Sequence, residues 1–120
     1  MGYYTYYSME AYDAETANSI SSELEEEICK RLYEISGHAI AQGYSFYYSV
    51  SYGYFKWYDH EADMIALSKE YPNVVFVLDG EGEERDDNWR LFVHNGETEL
   101  VTARIIYDSP TNQKFWKFGY

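Results

Sequence analysis

Three stretches of this chain combine side chains able to ligate a cation, move a proton or act as a nucleophile. The first is Asp79-Gly80-Glu81-Gly82-Glu83-Glu84-Arg85-Asp86-Asp87. With Asp79 counted as position 1, acids fall at positions 1, 3 and 5, as in an EF-hand calcium loop. Position 6 is Glu84 where the sharp turn needs glycine, and position 12 is Arg90 where a bidentate glutamate should stand. The spacing therefore predicts a solvated acidic hairpin loop ahead of a specific divalent site. Gly80-x-Gly82 leads into acids and not into a helix N-terminus with a lysine, so it is no phosphate cradle.

The second stretch is Asp59-His60-Glu61-Ala62-Asp63. It lacks the His-Glu-x-x-His spacing that brings two imidazoles onto one helix face. Asp59 and Asp63 can share a face while His60 sits apart from both, so an N-cap followed by first-turn acids is the simpler account. The third is Cys29, the only cysteine, preceded by Glu25, Glu26 and Glu27. It can form no intramolecular disulfide and no multi-cysteine metal site. Nearby negative charge disfavours the thiolate, which predicts a structural thiol. His38 and His94 have no sequence-local partner that would make either a base. No nucleophile, base and oxyanion set assembles, so the expectation is neither an enzyme nor a cofactor protein.

What remains is surface character. The 120 residues carry 21 acidic against 9 basic side chains, a formal charge of −12, and 15 tyrosines. Direct binding to a phosphate backbone would have to overcome net repulsion, and anionic membrane surfaces are disfavoured for the same reason. With 46% hydrophobic residues the chain can bury a core, and its length suits one domain. No run of about 18 apolar residues occurs, and Met1–Glu10 lacks the basic and apolar regions of a signal peptide. The expected location is the cytoplasm.

The elements that must position these residues follow from periodicity. Residues 3–12 alternate as a strand, with Tyr4, Tyr6, Ser8, Glu10 and Tyr12 on one face. Ile20, Leu24, Ile28, Leu32 and Ile35 form one apolar stripe, predicting a helix from about Asn18 to Ser36, capped by Asn18 or a nearby serine and closed by Gly37. Tyr44–Tyr58 reads as a strand with large aromatics on one parity and small residues on the other. Asp59 caps a second helix, roughly His60 to Tyr71, with Met64, Leu67 and Tyr71 facing inward and Pro72 as its stop. Val74–Leu78 is a continuous apolar run, predicting a central strand buried on both faces. A strand through Trp89, Leu91 and Val93, an Asn95-Gly96 turn and a return strand from Leu100 to Tyr107 complete the order β-α-β-α-β-β-β. An aromatic tail begins at about 110. The expected fold is one α+β domain spanning 1–120. Two helices pack on one face of a mostly antiparallel sheet, a ferredoxin-like variant.

Met1–Tyr7 (MGYYTYY), Lys56–Glu61 (KWYDHE) and Gly80–Glu84 (GEGEE), with Trp89 and Asn95-Gly96, carry a resemblance. They resemble a family of small, mostly uncharacterised proteins of phages and prophages of Gram-positive bacteria, over under half the chain. Lys56-Trp57 also resembles the element before the second helix of a ferredoxin-like plasmid and phage family. These families bring no established catalytic residues. The resemblance implies a small accessory protein that inhibits a host defence or nucleic-acid-handling protein, as anti-CRISPR proteins and DNA mimics do. The carboxylates expected to stand in for phosphates are Glu23, Glu26, Glu27, Glu81, Glu83, Glu84, Asp86 and Asp87. Tyr48, Tyr52 and Tyr54 would act as anchors, because tyrosine concentrates at interface hot spots. The implied partner is a host protein with a basic surface. The alternatives are a self-assembling scaffold or structural subunit, or an aromatic-sheet nucleic-acid-binding module.

Overall fold

The computed structural model describes residues 4–84 and 86–118. In chain order these form β1 (Thr5–Asp13), α1 (Ser22–Ile35), a π-helical turn (Tyr47–Ser51), β2 (Tyr54–Phe55), α2 (His60–Glu70), β3 (Val74–Glu81), β4 (Asn88–His94), β5 (Glu97–Thr102) and a 3₁₀ turn (Gln113–Phe118). The five strands make one open sheet in the order β2-β1-β3-β4-β5, every neighbouring pair antiparallel. The protein thus has the expected α+β class, with two helices and an open antiparallel sheet. Its strand order does not establish a ferredoxin-like variant.

Alternation decides which side of the sheet is covered. Tyr7, Met9 and Ala11 of β1, Val74, Phe76 and Leu78 of β3, and Leu91 and Val93 of β4 point one way and are buried. Register brings them together, with Met9 opposite Leu78 and Leu78 opposite Leu91. Ile28, Cys29 and Leu32 of α1, Met64 and Leu67 of α2, and Phe46, Val50 and Trp57 from the connecting segment close over them in one core. Arg31 of α1 holds α2 by a two-pronged pair with Glu70, Nε to Oε1 at 2.7 Å and Nη2 to Oε2 at 3.0 Å. The Asn95-Gly96 turn has positive φ at both residues, and Gly96 N donates to Ser68 Oγ of α2 at 2.9 Å.

Four expectations need correction. Tyr44–Tyr58 is not a strand: a π-helical turn occupies Tyr47–Ser51 and only Tyr54–Phe55 pairs with β1. Phe46, Ser49 and Val50 are spaced as one helical face and are buried, which a period of two could not achieve. β3 is central but not buried on both faces, because Val75, Val77 and Asp79 on its second face are only half-buried. Among the described residues no helix packs on that side, and neighbouring side chains give it partial cover. Asp59 occupies the N-cap position of α2 without a side-chain cap bond, and its carbonyl accepts from Asp63 N at 2.9 Å. The last strand is Glu97–Thr102 and not Leu100–Tyr107, since pairing to β4 ends where β4 begins, with Ala103 N on Asn88 O at 2.9 Å.

Candidate functional site: two acidic tyrosine patches

The first patch grows from the start of α1. Ser21 Oγ accepts from Leu24 N at 3.2 Å, capping the helix so that Glu23 and Glu25 lie in its first turn, where the helix dipole favours anions. Glu25 is half-buried, and its Oε2 accepts from Phe46 N at 2.7 Å. That bond fixes the approach to the π-helical turn. Gly43 passes so close to Ser49 that a Cβ there would stand 2.9 Å from its Oγ. With Phe46, Ser49 and Val50 turned inward, Tyr44, Tyr47, Tyr48 and Tyr52 are forced out to water.

These four rings pack on one another. Tyr44 and Tyr48 have centroids 5.1 Å apart, Tyr47 and Tyr48 5.1 Å, and Tyr48 and Tyr52 6.2 Å. Tyr52 is 66% exposed and Tyr44 62%, although such rings are usually at least half-covered. The side-chain hydrogen bond between Tyr44 and Tyr48 pushes the Tyr44 phenol above its ordinary value. Ser22, Glu23, Glu25, Glu26, Tyr44 and Ser45 line a shallow depression between helix and turn. Glu26 is tied to Lys30 at 3.7 Å, and Glu27 accepts from the Tyr71 hydroxyl, which burial and this carboxylate push up to about 12.

The second patch lies where β3 turns into β4. Gly82 N donates to Asp87 O at 2.8 Å and Asp87 N to Glu84 O at 3.1 Å, giving a tight loop. Glu83 Oε1 accepts from Tyr4 N at 2.9 Å. Tyr4, Tyr54, Glu81, Gly82 and Glu83 line a second depression. Tyr54 packs edge-on to Tyr6 at 5.5 Å, and Lys56 Nζ stands 4.6 Å over the Tyr4 ring. Asp86 is exposed on the same loop.

The two carboxylate groups do not share a depression. Glu81 pairs with Tyr6 near one end of β1, whereas α1 follows the Tyr12–Ser19 bridge at the other. Tyr6 to Tyr12 spans about 20 Å at roughly 3.3 Å per residue of strand. Glu23, Glu26, Tyr48 and Tyr52 belong to the first group; Glu81, Glu83, Glu84, Asp86, Asp87 and Tyr54 belong to the second. Between them the tyrosines of residues 44–54 run beside β1. Asp79 leaves the acidic loop altogether: it lies within β3 and takes a two-pronged bond from Arg90, at 2.7 and 3.0 Å. Tyr4, Tyr44, Tyr47 and Glu25 join the patches without having been singled out from the sequence. The i,i+4 spacing of Tyr44, Tyr48 and Tyr52 was the signal that could have found the first group.

Asp63, the three histidines and Cys29 make contacts within the fold. Trp57 Nε1 donates to Asp63 Oδ2 at 2.7 Å, and the Trp57 carbonyl accepts from the Tyr7 hydroxyl at 3.0 Å. His60 stacks on Trp89 at 4.8 Å with Nδ1 3.0 Å from that carbonyl. His38 stacks on Tyr33 at 4.1 Å, and His94 Nε2 is 2.9 Å from Pro72 O. Burial pushes the Cys29 thiol up to about 11, helped by Glu25 and Glu26 and opposed by the otherwise unpartnered Ser49 hydroxyl. Among the described residues no three His, Cys, Asp or Glu side chains converge as metal ligands. No described helix is long and apolar enough to cross a membrane. No family model, no curated protein and no solved structure matches this chain.

Proposed function

We propose that this protein is a small acidic accessory protein of the phage type that binds and inhibits a host defence or nucleic-acid-handling protein. The observation that carries the reading is the self-packed, exposed cluster of Tyr44, Tyr47, Tyr48 and Tyr52 beside Glu23, Glu25 and Glu26. Rigid aromatic rings lose little entropy on docking, and flanking carboxylates steer a basic partner at long range. The loop carboxylates beside Tyr4 and Tyr54 supply a second contact on a partner wide enough to reach both. The host cytoplasm is the compartment that fits such a role.

The test is capture of a basic nucleic-acid enzyme from bacterial lysate, followed by titration of the purified pair at rising salt. Binding should weaken steeply with salt, and Tyr48→Ala with Tyr52→Ala should weaken it at least about tenfold, the loss of one hot-spot anchor. Salt-independent binding, or an unchanged affinity in the double variant, refutes the reading.

A further inference from the structure

The sheet end that carries the second patch has a property that lies in its rings as well as its charge. β1 and β2 pair through Thr5 with Phe55 and Tyr6 with Tyr54, so Tyr6 and Tyr54 share one face. Alternation puts Tyr4, just before β1, and Lys56, just after β2, on that same face. Thr5 and Tyr7 point the other way, into the core, so the tyrosines lie on the side where no described helix packs. Tyr54 meets Tyr6 edge-on at 5.5 Å. Tyr4, two residues from Tyr6, is diagonal to Tyr54 and within reach of its ring. On the other flank of β1, Tyr6 pairs with Glu81, and Glu83 Oε1 accepts from Tyr4 N at 2.9 Å. Rings and carboxylates together line a depression of about 550 Å³, within the roughly 300–1,000 Å³ of ligand clefts.

One cation already uses these rings. Lys56 Nζ stands 4.6 Å from the Tyr4 ring centroid, inside the roughly 6 Å over which the negative face of a ring attracts a cation. The Tyr54 ring is 64% exposed, and among the described residues no cation lies over it. The lining decides which kind of cation fits. A hard divalent ion takes about six or more oxygens, and no three ligating side chains converge among the described residues. A primary ammonium is compact, strongly hydrated and seeks acceptors for its three N–H groups, while Glu83 Oε1 is already engaged by Tyr4 N. A quaternary ammonium has no N–H and spreads its charge over its alkyl groups. It asks only for aromatic faces and a negative field, and both are present.

We propose that the depression between Tyr4, Tyr54, Glu81 and Glu83 is an aromatic cage for a quaternary ammonium group, carried by a free choline-type molecule or by a trimethylated lysine side chain. The Tyr4 and Tyr54 rings make the contact and the two carboxylates supply the field. Lys56 is the resident cation with which the ligand competes at Tyr4. No host enzyme enters this binding, so it holds or fails separately from the partner-binding reading, which uses the same residues only as a second contact.

Titration of the full chain with choline chloride, followed by amide chemical shifts in proton–nitrogen correlation spectra, tests it. The expected dissociation constant is on the order of 1 mM, with shifts centred on Tyr4, Tyr54 and Gly82. The neutral isostere of choline, dimethylbutanol with carbon in place of nitrogen, should bind at least about fivefold more weakly. Tyr54→Ala should weaken choline binding at least about fivefold, and Tyr54→Phe should preserve it, because the ring and not the hydroxyl makes the contact. Lys56→Gln should tighten binding at least about twofold by removing the competing like charge, a gain that unfolding cannot mimic. Nα-acetyl-trimethyllysine methylamide in place of choline separates the two sources: tighter binding assigns a modified protein side chain, weaker binding a free small molecule. Absence of saturable shifts in the millimolar range overturns the proposal. So do equal binding of the neutral isostere, shifts centred on residues 44–52, or indifference to Lys56→Gln.

Discussion

Gly80→Ala should be among the most damaging single-methyl changes in this protein. Gly80 sits in β3 opposite Trp89 of β4, and the Trp89 indole lies flat across the space a side chain would need. A Cβ at position 80 would stand 2.8 Å from Trp89 Cη2 and closer still to Cζ2 and Cε2. The ring cannot simply tilt. It stacks on His60 at 4.8 Å and meets Tyr7 edge-on at 6.1 Å, and those residues share the Trp57 carbonyl. Overpacking of this kind costs about 1–3 kcal/mol. Displacing the indole sacrifices aromatic pairs worth about 0.5–1.5 kcal/mol each. The combined loss is about 2–6 kcal/mol, or roughly 8–24 °C in Tm at about 4 °C per kcal/mol for this size. Urea unfolding followed by tryptophan fluorescence reads the loss, and a double-mutant cycle locates it. In a Trp89→Ala background the extra methyl should cost under about 0.5 kcal/mol, because its obstacle is gone. A Gly80→Ala protein as stable as the parent, or an equal loss in both backgrounds, would refute the packing argument.

Cys29 is buried with its thiol pushed up to about 11, so native protein at pH 8 should resist a thiol reagent that labels it stoichiometrically in denaturant. Rapid native labelling would show that the α1–turn contact opens readily. Asp13 is held below the usual carboxylate range by backbone N–H bonds from Thr16 and Glu15, and Glu70 by Arg31. Both folded pKa values are depressed, so their stabilisation is present above the unfolded values near pH 4 and is lost as pH falls through the folded ones. Urea midpoints should therefore decline below about pH 4, with a shallower decline in Asp13→Asn; an identical slope in the variant would remove Asp13 from that account.

Local chemistry was enough for the parts that local chemistry controls. Strict alternation in Thr5–Asp13 sorted the side chains of β1 into two faces, and packing then chose between them, burying the face of Tyr7, Met9 and Ala11. The stripe through Ile28 and Leu32, the Asn95-Gly96 turn and the stop at Pro72 likewise follow from spacing and backbone preference. The acidic face of α1 and the acidic loop were legible because charge needs no partner to be exposed.

Tertiary context decided the rest. Tyrosine suits a half-buried strand, so Tyr44–Tyr58 read as one. The edge of β1, however, had room for Phe46 and Val50 only as one face of a turn, and Glu25 was there to hold the Phe46 amide. That outcome, and not any propensity, turned the tyrosines outward into a cluster. In the same way Asp79 looked like the first of a row of loop carboxylates until β4 brought Arg90 across from it. The bulk charge could be counted from residue types alone. That it stands at two ends of one strand, about 20 Å apart, required knowing which elements pair, because register is a long-range property that no single segment encodes.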